Sequence, residues 1–408
     1  MKNPLEGLRI LDLSRVLAGP WCAQILGDLG ADVVKVEVPG RGDDSRQFGA
    51  CLPGTDLDGG RDSAFFLACN RNKRSIAVNF ATPEGAQLIR EMAQHADIVV
   101  ENFKAGGLRK FGLDWASLQP LNPRLIYCSV TGFGQDGPYA PRPAYDFIMQ
   151  AMSGMMSTCG QPDGSPGGGP IRTAIPTTDL VTGFNAAISV LGAIIQRGVT
   201  GRGQFIDAAM IDASVAFNVH LAQGFLFTGS TPTRHGNGNP IAAPSDVFRT
   251  ADGWMVVAAG NDRQFESLCL ALDREDLARN PAYARNELRI PLRNVLHNEL
   301  EPRLQRHNTA HWMQVFENAQ VPCAPINNIN QVFEDPQVQH RQMTVEVDHA
   351  SGHRVPILRS PLNMSGAQPT YRAPPRLGQH TREVLDEWIA MNPQQMQDLQ
   401  NQGVIAGI

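Results

Sequence analysis

Four short apolar runs rich in β-branched residues constrain this chain most: LRILDL (Leu8–Leu13), ADVVKVEV (Ala31–Val38), DIVVENF (Asp97–Phe103) and RLIYCSV (Arg124–Val130). Helix-patterned segments separate them. WCAQILGDLG follows Gly19-Pro20. Thr82-Pro83-Glu84 supplies a capping hydroxyl, a proline at the first helical position and acid in the first turn. Leu88 with Met92, and Ile89 with Ala93, then form one apolar face. Strands of this composition alternating with helices specify an α/β fold, a parallel sheet covered by helices. With 408 residues the chain exceeds what one core usually organises, so a second domain is expected. The texture changes at Ser230–Asp246 (STPTRHGNGNPIAAPSD) and again at Val321–Asn328 (VPCAPINN). These boundaries divide the chain into a large α/β domain over 1–229, a smaller α+β domain over 230–320, and a linker with return to the large domain over 321–408. DVFRTADGWMVVAAG reads as a hairpin around Asp252-Gly253, and VEVDHASGHRVPIL as another. LVTGFNAAISVLGAIIQRG (Leu180–Gly198) is apolar nearly all round and reads as a buried helix.

Hydrophobic residues make up 42% of the chain and charged residues 18%, ordinary for a globular protein, and the net charge of -5 argues against nucleic acid or an anionic membrane as partner. Seven scattered cysteines form no C-x-x-C pair, which points to a reducing, cytoplasmic setting without disulfides or a zinc site. The start, MKNPLEGLRILDL, lacks the apolar core of a signal peptide, and no uninterrupted apolar stretch is long enough to cross a bilayer.

Ligands of parallel sheets bind beyond the carboxyl ends of the strands. None of the strand-to-helix turns carries G-x-G-x-x-G, and Walker A, G-x-S-x-G and H-E-x-x-H patterns are missing. Three loop clusters carry cations beside glycine or polar residues: Arg41 and Arg46; Arg71, Lys73 and Arg74; Lys104, Arg109 and Lys110. Such groups suit either a solvated surface or the grip of a polyphosphate. One acid, Asp179, opens the apolar helix in IPTTDLVTGFNAA, downstream of the glycine-rich CGQPDGSPGGGP. Two roles stay open for it. It is a helix cap, or it is a reactive carboxylate kept ionised by the helix N-terminus.

LEGLRILDLSRVLAGPWCAQILGDLGADVVKVEVPGRGDDSR, NRNKRSIAVN, DIVVENFKAGGLRKFGL, NPRLIYCSVTGFGQDGPY, TDLVTG, TGRGQFIDAAM and APPRLGQHT together resemble the class III CoA-transferases, the formyl-CoA and carnitine CoA-transferase type. GNDRQFESLC and VPCAPINNINQVFEDPQV resemble the succinyl-CoA-dependent, dicarboxylate-using branch. The resemblance implies a Rossmann-like large domain built from both chain ends, an inserted small domain, and an interlocked homodimer. It implies that CoA passes from an acyl-CoA such as succinyl-CoA to a small carboxylic acid such as a dicarboxylate, with coenzyme A as substrate and no tightly bound cofactor or metal. The aspartate of its D-x-x-x-G segment, here Asp179 with Gly183, is the nucleophile, passing through mixed-anhydride and aspartyl-CoA thioester intermediates. Its CoA contacts fall on Leu17, Ala18, Val78, Asn79, Asn102, Phe103, Lys104, Lys110, Tyr145 and Asp146, and Arg46 is the candidate for the far carboxylate of the acceptor.

The departures narrow the substrate. Formyl-CoA transferases have glutamine, arginine and lysine where this chain has Leu17, Val38 and Pro143, so oxalate with formyl-CoA is disfavoured. The 2-methylacyl-CoA racemases share the fold but carry histidine-aspartate where this chain has Tyr145-Asp146; tyrosine, with a pKa of about 10, is a poor base at neutral pH. A non-catalytic CoA-binding protein is the remaining alternative, and the intact D-x-x-x-G segment argues against it.

Overall fold

The computed structural model describes residues 2–55, 61–367 and 370–408. The strands are β1 (Arg9–Asp12), β2 (Asp32–Glu37), β3 (Lys73–Val78), β4 (Ile98–Glu101), β5 (Ile126–Thr131), β6 (Phe205–Ala209), β7 (Ser245–Arg249), β8 (Trp254–Ala258), β9 (Cys323–Pro325), β10 (Thr344–Asp348), β11 (Arg354–Leu358) and β12 (Ile405–Ala406). Five helices matter most below: α1 (Ala18–Asp28), α2 (Pro83–Gln94), α3 (Asp146–Met152), α4 (Thr177–Thr200) and α5 (Thr381–Ile389).

The chain forms two compact units. The first comprises residues 1–155, 173–229 and 342–408. Its seven-stranded sheet runs β12-β3-β2-β1-β4-β5-β6. All pairs in it are parallel except β12 with β3, so the C-terminal end of the chain closes one edge of a sheet begun at the N-terminal end. Alternation along the strands builds two cores, as the two-residue side-chain period requires. Leu11, Val34, Ile76 and Val99 face one layer with Leu88, Ile89 and Trp388, while Ile10, Val33, Ile98 and Ile126 face the other with Leu26, Ala186 and Val190. Each such aliphatic side chain, removed from water, contributes about 1.5–3 kcal/mol. The Thr82 hydroxyl caps α2 through the Gly85 N–H at 3.1 Å, with Pro83 at the first helical position, as the sequence predicts.

The sequence reading of α4 needs one correction. Only one face is buried, through Ala186, Ala187, Val190 and Ala193. Phe184, Ile188, Ile195 and Val199 are exposed, Val199 at 87%. Composition marks this helix as apolar without saying which face meets the sheet. An 18-residue window of this 24-residue helix reaches a mean hydropathy of 1.5, so α4 is long and apolar enough to cross a membrane by length and composition alone, although Thr182, Gly183 and Asn185 interrupt the apolar run.

The second unit comprises residues 156–172 and 230–341. It is α+β: an antiparallel sheet β7-β8-β9 with helices Asp262–Ala271, Arg293–Leu304 and Thr309–Asn318 around a core that includes Phe248, Met255, Leu296 and Phe316. The Asp252-Gly253 turn joins β7 to β8 with the Gly253 N–H on the Thr250 hydroxyl at 3.1 Å. The second expected hairpin, β10-β11, belongs to the first unit.

Candidate active site

Sheet order places β1 and β4 side by side, with the chain departing from them in opposite directions. That is the topological switch point of an open α/β sheet, where the loops beyond the strand ends separate and leave a crevice. A cavity of about 430 Å³ lies there, lined by the β1–α1 loop (Arg15 to Ala18), the segment after β4 (Asn102 to Ala105), the end of β5, Arg142 to Tyr145, and Asp179.

Asp179 reaches the cavity because of the glycine four residues on. Positions i and i+4 share a helix face. A Cβ on Gly183 would stand 2.8 Å from the Ala18 carbonyl oxygen and 3.2 Å from Trp21 Cβ. Only glycine lets α4 approach the start of α1 this closely, and that contact sets Asp179 one turn earlier beside the β1–α1 loop.

Asp179 is not the cap of its helix. The N-cap position is Pro176, which has no side-chain acceptor to offer, and Asp179 lies in the first turn. The cap comes from α3: Asp146 Oδ1 accepts from the Thr178 N–H at 2.8 Å and from its hydroxyl at 2.7 Å, while Oδ2 accepts from Gln150 Nε2 at 2.7 Å. Gln150 in turn accepts from the Thr173 N–H at 2.9 Å, pinning the chain before the helix. Asp179 itself receives no hydrogen bond from the described residues. Burial, reinforced by the negative charge of Asp146, pushes its carboxyl up to about 7. Desolvation thus opposes the ionisation that the helix N-terminus favours.

Of the residues expected at a CoA site, Leu17, Ala18, Asn102, Phe103, Lys104 and Tyr145 line this cavity. Phe103 packs edge-on against Phe80 and carries Arg15 over its ring at 4.9 Å. Asn102 brackets the β1–α1 loop, accepting from the Arg15 N–H at 2.8 Å and donating to the Arg15 carbonyl at 2.6 Å. Asp146 stands behind the wall as the cap of α4. Val78, Asn79 and Lys110 do not line the cavity. Val78 is fully buried in β3 opposite Ile405, Asn79 organises the turn into α2, and Lys110 lies over the Phe111 ring.

Arg46 is corrected outright. It is wholly buried, forked onto Glu37 at 2.7 Å, paired with Asp62 and laid over the Phe66 ring, so no substrate carboxylate reaches it. The cluster at 71–74 is likewise internal: Arg71 pairs with Asp28, Lys73 with Asp12, and Arg74 with Asp32, Glu383 and Glu387. The cations on the cavity wall are Lys104 together with Arg15 and Arg142, which the sequence reading did not single out. Arg15 sits in the first strand-to-helix loop, a position that pointed to it; Arg142, in a proline-rich stretch, carried no local signal.

A profile of CoA-transferase family III matches residues 5–381. A succinate–glutarate CoA-transferase of Agrobacterium fabrum is 41% identical over 387 residues, covering 95% of this chain and 96% of the relative. Human succinyl-CoA:glutarate CoA-transferase is 40% identical over 408 residues, 99% and 90% of the two chains. The crystal structure of a CaiB/BaiF family protein from Brucella suis superposes with a TM-score of 0.85 at 42% identity, covering 95% of this chain and all of that one. The chain thus belongs to CoA-transferase family III.

Proposed function

We propose that the protein moves CoA from succinyl-CoA to a small dicarboxylic acid, with Asp179 as the covalent nucleophile. The observation that carries this reading is the placement of one poorly solvated carboxylate, without hydrogen-bond donors among the described residues, on the wall of the switch-point cavity. A desolvated carboxylate is a stronger nucleophile than a hydrated one. An Asp179 oxygen attacks the thioester carbonyl; the C–S bond breaks, and CoA leaves as thiolate with the electron pair, giving a mixed anhydride. The thiolate then attacks the aspartyl carbonyl, releasing the donor carboxylate and forming an aspartyl-CoA thioester. The acceptor carboxylate displaces the thiolate from that thioester, and the thiolate attacks the acceptor carbonyl of the second anhydride. The new acyl-CoA leaves and Asp179 is regenerated. Every step is an acyl exchange, with no net oxidation and no obligatory proton transfer.

Leu17, Ala18, Asn102, Phe103 and Tyr145 form the CoA wall in this reading, and Lys104, Arg15 and Arg142 supply positive charge for phosphates or for a distal carboxylate. Dicarboxylates are favoured because the Agrobacterium and human relatives are glutarate CoA-transferases. The exposed apolar faces of α4 and of the helix Val219–Thr228, where Phe227 is 82% exposed, support a homodimer. Seven unpaired cysteines support a reducing, cytoplasmic setting. The racemase alternative lacks its base: Tyr145 stands where a proton-transfer histidine is required, and Asp146 is committed to capping.

The test is mass spectrometry after incubation with succinyl-CoA and hydroxylamine or borohydride trapping, beside Asp179→Ala. An adduct on Asp179, and a variant that binds CoA without transferring it, are expected. Turnover without an adduct, or near-normal turnover by Asp179→Ala, overturns the reading.

A further inference from the structure

The loop between β1 and α1 contains an unusual backbone. Val16 has φ of +70°, the left-handed region, where a β-branched side chain is a genuine outlier. Such strain persists only where the surroundings over-determine it. Here they do. The Val16 N–H donates to both oxygens of Asp43, at 3.1 and 3.3 Å. Lys35 Nζ pairs with Asp43 at 2.7 Å and donates to the Ser14 carbonyl at 2.8 Å, with both charged side chains wholly buried. Asp12 accepts from the Ser14 N–H at 3.0 Å and is itself held by Lys73 at 2.9 Å. A Cβ on Gly19 would stand 2.4 Å from that of Ser14, so the loop is folded tightly against the start of α1.

The turn has a consequence in the cavity. Leu17 is the N-cap of α1, with no side-chain cap, and neither the Leu17 nor the Ala18 N–H has an acceptor among the described residues. Both residues line the cavity. A buried ion pair is weak evidence for stability, since apolar residues of similar volume serve as well. A fully buried pair that grips one strained peptide beside the site is better explained by geometry it imposes. We infer that Lys35 and Asp43 are positioning residues for the acyl-CoA site: their ion pair holds Val16 in the left-handed conformation and so fixes the Leu17 and Ala18 N–H groups on the cavity wall. This rests on the CoA-transferase reading of the cavity.

The experiment is a double-mutant cycle, read by calorimetric titration with CoA and by steady-state kinetics with succinyl-CoA. Asp43→Asn is expected to weaken CoA about 10-fold and to raise KM more than it lowers kcat. Glycine takes φ of +70° without strain. Asp43→Asn/Val16→Gly is therefore expected to bind CoA at least about threefold more tightly than Asp43→Asn alone, a rescue that a role confined to stability does not produce. Affinity losses that simply multiply, or Asp43→Asn binding like the parent, overturn the inference alone. A parent protein that does not bind CoA overturns the functional reading and the inference with it. If Asp43→Asn does not fold, Val16→Asn in the otherwise intact chain decides: asparagine tolerates the left-handed region, so Tm rises if Val16 is clamped under strain, and a fall in Tm overturns the inference.

Discussion

Replacing Asp179 by Asn should abolish transfer and stabilise the protein, and the stabilisation should depend on pH. Burial and Asp146 move the Asp179 carboxyl from its ordinary 3.8 to about 7 in the folded chain. Between these values the folded state holds a proton that the unfolded state releases. The contribution to stability is therefore complete below pH 4 and is lost as pH rises to 7, after which it is constant. Asparagine has no proton to lose. Over the two units between pH 5 and 7 the parent forfeits about 2.7 kcal/mol at 1.36 kcal/mol per unit, which partial exposure of Asp179 cuts to roughly half. At about 2–4 °C per kcal/mol for a domain of this scale, the Tm gap between Asp179→Asn and the parent should widen by about 3 °C from pH 5 to pH 8.5. Differential scanning fluorimetry in buffers of matched ionic strength measures it. An equal gap at the two pH values, or a variant less stable than the parent at pH 8.5, refutes the claim that this carboxylate is held at an energetic cost.

Gly183→Ala places a methyl group 2.8 Å from the Ala18 carbonyl oxygen, so α4 must shift; a loss of about 1–3 kcal/mol in thermal unfolding and a fall in kcat are expected, and unchanged kcat refutes the close-approach argument. Asp146→Asn keeps an acceptor for Thr178 while removing the charge beside Asp179; kcat/KM should then rise with pH at lower values than in the parent, and an unmoved profile removes Asp146 from the electrostatics of the site. Arg46→Met strands Glu37 and Asp62 in the interior, at about 3–5 kcal/mol; the variant should lose stability or soluble yield, whereas a stable variant with only a raised KM for the acceptor restores Arg46 as a substrate receptor.

The sequence by itself determined whatever depends on neighbours along the chain. The apolar runs became β1, β2, β4 and β5, Thr82 capped α2, and both hairpins formed, because side-chain period and turn chemistry are local properties. The D-x-x-x-G spacing was also legible, since residues four apart share a helix face. Tertiary structure decided the rest through distances the sequence does not encode. Arg46, Arg71 and Lys73 look like solvent-facing cations in one dimension, yet each meets a carboxylate from another segment and is consumed inside the fold. The cap of α4 comes from Asp146, 32 residues upstream, rather than from Asp179. Only once that cap, the glycine crossing and the strained Val16 turn are assembled does Asp179 become a carboxylate held out of water at the edge of a cavity. The reactivity proposed for it would come from the surrounding solvent exclusion and neighbouring charge, which exist only in the folded chain.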